Sequence, residues 1–82
     1  MSKKKLVYVE WEDAYNFGAE WFSNEDIDEK LGTSFIVQEV GWILREDDKS
    51  IIMASKYAIE TEHHAGITKI PKPWIRNRRT LS

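Results

Sequence analysis

The nine residues 67–75, ITKIPKPWI, decide how the chain is read. Proline fixes its own φ, has no N–H to donate, and pushes the residue before it toward extended backbone. A central strand would lose ladder hydrogen bonds at Pro71 and Pro73, so PKP belongs at a corner or a sheet edge, with Ile70 and Lys72 held extended. A polyproline ligand would sit in an exposed tail, whereas this motif lies between two apolar runs. The expectation is a rigid corner that sends Trp74 and Ile75 into the core and releases IRNRRTL as a last strand.

Working back from that corner, KLVYVEW (5–11) alternates with a period of two. Val7, Val9 and Trp11 share one face, and Leu6 and Tyr8 the other. Asn16 to Ala19 reads as loop. Ser23 is a natural N-cap with Asp26 at the capping-box position, Glu25 suits the positive helix end, and Gly32 is a natural stop. Ile27 and Leu31, four apart, are expected to anchor this two-turn helix on the barrel or sheet. SFIVQEVGWILRE (34–46) has apolar residues on both faces, as a central or barrel-crossing strand would, with Gly41 marking a bulge or bend. DDKS is a hairpin turn, IIMASKYAIE the return strand, TEHH a polar connection, and AGITKI a further extended segment.

These elements predict a mainly β (α+β) fold: a small five-stranded SH3-like or Sm-like barrel with one short helix after the first strand. An OB-like barrel or an open α+β sheet is the alternative. Residues 1–82 read as one barrel-like domain with a basic C-terminal strand or tail over 75–82. A chain this short buries only about 60–65% of its unfolded surface. It has no cysteine, so no disulfide supplements the core. Four Trp among ten aromatics partly compensate; Trp11 and Trp42 are expected inside, and Trp21 or Phe22 at a rim. No apolar run approaches the roughly 20 residues of a membrane span, and no membrane contact is expected.

The net charge of −2 conceals an asymmetry. Glu10 to Asp48 holds twelve acids against Lys30 and Arg45, and Lys69 to Arg79 holds five bases and no acid. The basic residues Lys69, Lys72, Arg76, Arg78 and Arg79, interleaved with Trp74, are the leading ligand or partner site, together with Trp21. Arginine forks suit phosphates, and a Trp can stack on a base. The plainer alternatives are that Trp74 is core and that the arginines pair with the acidic face of the same or another subunit. Glu10, Glu12 and Asp13 read as a solvated, mutually repelling face. His63 and His64, adjacent on a strand, point to opposite sides and cannot chelate one metal together. There is no Gly-rich phosphate loop and no metal-ligand spacing. No catalytic residue, metal or cofactor is expected.

VEWEDA, WFSNEDI, VGWILREDDKSIIMAS and GITKIPKPWI, in that order, resemble a widespread group of small phage and prophage proteins of unknown function. The similarity runs from about Val7 to Ile75 and leaves out RNRRTLS. The resemblance implies phage origin and a compact β-rich domain, and transfers no catalytic residue. The expectation is a non-enzymatic accessory protein acting in the host cytoplasm. It would bind a host protein, such as a defence component, or a small nucleotide signal, with a homo-oligomer building a composite anionic pocket. Nucleic-acid binding through the basic strand and a virion structural or assembly role are the alternatives.

Overall fold

The computed structural model describes residues 4–82. Five antiparallel strands form one sheet: β1 (Lys5–Glu12), β2 (Ile36–Glu46), β3 (Ser50–Ala58), β4 (His63–Pro71) and β5 (Ile75–Thr80), in the order β4-β3-β2-β1-β5. One helix, α1 (Asn24–Lys30), lies between β1 and β2. The protein is mainly β with a short helix after the first strand. The ladders join β1 to β2 and β5, and β3 to β2 and β4; none joins the edge strands β4 and β5 among the described residues, so hydrogen bonding does not close a barrel.

The period-two reading of β1 holds in space. Val7 and Val9 are fully buried and cluster with Ile51, Met53 and Ile70, while Trp11, Ile43 and Ile75 pack around them. These residues come from all five strands, the two edge strands included, so the sheet must curl over one face. β2 is the central strand, as its two apolar faces predict. Its irregularity falls between Ile43 and Arg45 rather than at Gly41. Gly41 serves a different need: a Cβ there would lie 2.6 Å from the Ala54 carbonyl oxygen, so its bareness permits the β2–β3 crossing.

At the corner, β4 ends at Pro71, and Lys72–Trp74 forms one 3-10 turn before β5. Lys72 is therefore not extended. The fixed φ of Pro73 suits the second position of such a turn, and the Lys72 N–H donates to the Lys49 carbonyl at 2.8 Å. The corner turns the chain without burying Trp74, which stays 41% exposed and stacks on Trp11 with centroids 6.3 Å apart. Ile75 reaches the core margin, and Trp11 and Trp42 are half-buried rather than inside.

Two other expectations change. β4 begins at His63, so the polar connection is Ile59–Glu62, where Glu62 takes a φ of 57° and donates its N–H to Ala58. The capping box of α1 forms as read: the Asp26 N–H donates to Ser23 Oγ at 3.1 Å, and the Ser23 N–H to Asp26 Oδ2 at 3.2 Å. Yet no residue of α1 is buried, and Ile27 and Leu31 are exposed rather than anchored on the sheet. Local capping fixed the helix; its apolar stripe found no complementary surface in this chain.

Candidate functional site

Strand β5 places the basic residues, and β1 and β2 supply their partners. The register sets Arg78 opposite Val9, on the core-lining face, and Arg79 opposite Tyr8, on the outer face. Arg78 reaches Glu46 at the end of β2 through two hydrogen bonds of 2.9 Å, a fork on a carboxylate. Lys72 joins the same carboxylate at 2.8 Å. Glu46 therefore clasps β5 and the 3-10 turn to the β2–β3 hairpin, across the mouth of the curled sheet. Hydrogen bonds from Arg78, then from Lys72, hold the Glu46 carboxyl down to about 2.

Arg76 pairs with Glu12 through Nε at 3.1 Å and Nη2 at 2.8 Å, and gives Nη1 to the Pro73 carbonyl. Arg79 lies 4.8 Å from the centre of the Tyr8 ring. Next to it Tyr8 donates to Glu10 at 2.5 Å and accepts from Gln38 at 2.9 Å. The Tyr8 hydroxyl, then the Gln38 amide at 3.4 Å, donate to the Glu10 carboxylate and lower its pKa. Glu10 and Glu12 are thus partnered, not a repelling solvated pair. Three of the five predicted basic residues are consumed in intramolecular ion pairs, the arrangement named as the alternative for the arginines.

Lys69 borders this clasp but is not one of the cations bonded to Glu46. It lines a pocket of about 310 Å³ with Arg45, Glu46, Asp47, Ser50 and Ile52. Its two cations, Arg45 and Lys69, share it with Asp47 and with Glu46, whose charge Arg78 and Lys72 already balance. Asp47 is also committed to the hairpin turn, accepting from the Lys49 and Ser50 N–H groups, each at 2.8 Å, which lowers its pKa. His64 rests against Tyr57, with ring centres 5.0 Å apart. Among the described residues no group of three His, Asp or Glu side chains is placed to hold a metal, and no helix is long and apolar enough to cross a membrane.

Trp21 stands elsewhere, on the connection from Asp13 to Phe35. This arm has its own small framework: Tyr15 packs on Phe17 and Phe35 at 4.8 and 5.3 Å, and the Lys30 ammonium sits 4.4 Å from the Phe22 ring centre. Three of its apolar side chains are uncovered: Trp21 is 100% exposed, Leu31 91% and Ile27 54%. Glu20, Glu25, Asp28 and Glu29 surround these residues in sequence. The structure thus divides the sequence-predicted site into an internal clasp (Lys72, Arg76, Arg78), two outer-face cations (Lys69, Arg79) and two separate aromatics (Trp74, Trp21). Glu46 went unrecognised because its role depends on a register that brings β5 to the end of β2, and no local motif announces that.

The fold and these contacts define a small, open, antiparallel β protein with a charged clasp and a protruding aromatic arm. Comparison with protein-family models, curated proteins and solved structures finds no match to the chain.

The clasp makes a direct prediction. The Glu46 carboxyl ordinarily titrates near 4.5 and titrates near 2 when folded. A lowered folded pKa gives stability that is fully present above 4.5 and is lost as pH falls toward 2. Glu46→Gln should lower stability at neutral pH by about 1–2 kcal/mol, a figure reduced from the full shift because the pair is partly hydrated. Urea unfolding at a series of pH values should show the gap between the two proteins narrowing below 4.5.

Proposed function

We propose that this is a non-enzymatic phage accessory protein that binds a host protein during infection, and that the arm around Trp21 is the contact surface. The fully exposed Trp21 is the observation that carries this reading. Exposed Trp is enriched among binding hot spots, where it gains by desolvation against a partner. The surrounding carboxylates select a partner whose surface combines an apolar socket with a basic rim. The phage origin rests on the resemblance of Val7–Ile75 to that group of proteins.

Nucleic-acid binding is less well supported. Arg76, Arg78 and Lys72 would have to exchange Glu12 and Glu46 for phosphates before contributing to a phosphate track. The same commitment weakens the small-nucleotide reading of the basic strand.

Pulldown from infected host cells tests the proposal with two variants. Trp21→Ser should weaken capture of the partner about 30-fold, the loss of a hot-spot aromatic, with thermal unfolding unchanged because Trp21 packs on nothing. Arg79→Glu should retain the partner. Undiminished capture by Trp21→Ser would refute the arm as the contact.

A further inference from the structure

The ladder between β2 and β3 stops early. Trp42 pairs with Ala54, and beyond that pair the strands part company. β2 continues from Gly41 back to Ile36, paired only with β1. β3 continues to Ala58, paired only with β4. Two inner edges are thereby left without ladder partners, Ile36–Gly41 on β2 and Ser55–Ala58 on β3, and no other backbone hydrogen bond among the described residues reaches either segment from across the gap. The far half of the β3–β4 hairpin is a two-stranded ribbon, a structure only marginally stable in water without a third strand or a covering surface.

Apolar residues are exposed on both sides of this parting: Ile36 and Val40 on β2, and Ile67 and Ile59 on the hairpin, Ile59 being 80% exposed. The whole chain is also more open than its mass requires. Its radius of gyration is 16.7 Å, against about 12 Å for a compact domain of this length. Its accessible surface is 6640 Å², where a compact monomer of 9.7 kDa exposes about 5,100 Å². The surplus, about 1,500 Å², is shared between the uncovered arm, where no residue of α1 is buried, and the parted strands.

We infer that a second copy of this chain fills the gap. The β3–β4 hairpin of each protomer docks against the free β2 edge of the other, so that Ser55–Ala58 of one copy continues the ladder along Ile36–Gly41 of its partner. The two unpaired edges within one chain are complementary, and a two-fold axis satisfies both at once. The contact is therefore closed, and assembly stops at two. Ile59 and Ile67 of one protomer then cover Val40 and Ile36 of the other. This assembly does not depend on the Trp21 arm, and the two readings stand or fall separately.

Light scattering coupled to size exclusion tests the inference. The native protein should show twice the 9.7 kDa of the chain, and Val40→Asp and Ile59→Asp should each return it to the single-chain mass while the β1–β2 and β1–β5 ladders keep their amide protection. Hydrogen exchange on the native protein gives a readout that needs no variant. The gap-facing amides of both segments should be slowed at least about tenfold relative to the exposed outer edge of β5. A native mass other than twofold, a dimer that survives both substitutions, or fast exchange in either segment overturns the proposed interface.

Discussion

Gly41→Ala is expected to destabilise the protein by about 1–3 kcal/mol, the cost of overpacking a site with no room. The added methyl would sit 2.6 Å from the Ala54 carbonyl oxygen and 3.2 Å from its carbonyl carbon. Both obstacles are backbone of β3, so no side chain can rotate away. Relief requires β2 and β3 to separate at Trp42↔Ala54, the last pair of their ladder and the point where Met53 enters the core. A domain of this length has roughly 4–12 kcal/mol in all, so the variant loses a large fraction of its stability. Its denaturant midpoint should fall with little change in m-value. A midpoint within experimental error of the native one would mean that the strands yield freely there.

Met53→Ala should cost a comparable 2–5 kcal/mol, the range for truncating a fully buried large side chain. Met53 is 0% exposed and, among the described residues, belongs to a cluster of five buried side chains. Its removal leaves Val7, Val9, Ile51 and Ile70 to line a cavity, and a core this small has few neighbours able to collapse into it. Leucine at the same position conserves the volume and should cost under about 1.5 kcal/mol. The contrast, read from urea or thermal unfolding, distinguishes lost packing from any need for the thioether. Equal losses for the two variants would argue against a tightly filled site.

Much of the local architecture was legible because its causes are local. The alternation over Lys5–Trp11 marked β1 and its buried face, and Ser23 with Asp26 marked the start of α1. The acidic turn at Asp47 located the β2–β3 hairpin, and Pro71 located the end of β4. The corner was placed correctly, but its inner geometry was not. Pro73 favoured a 3-10 turn at Lys72, and that turn left Trp74 at the surface against Trp11.

The candidate site was less legible. Arg76 and Arg78 were visible as a cationic run, but the sequence could not choose between a ligand and a carboxylate partner. Arg78 meets Glu46 across 32 residues and Arg76 meets Glu12 across 64. Contacts at such separations depend on strand register and sheet curl, and neither leaves a periodic trace. The same holds for Ile27 and Leu31, whose spacing proves a shared helix face but not that the chain supplies anything to cover it.

The residues alone therefore determined the strands, the cap, the corner and the absence of a thiol, since each follows from backbone stereochemistry, period or composition. Only the tertiary structure decided that Arg76 and Arg78 of the basic strand are paired from within, that Trp21 is left uncovered, and that β2 and β3 part to leave two edges open. Those outcomes arise from summed packing and twist across the whole sheet, where the free energy of each contact depends on where every other strand has already been placed.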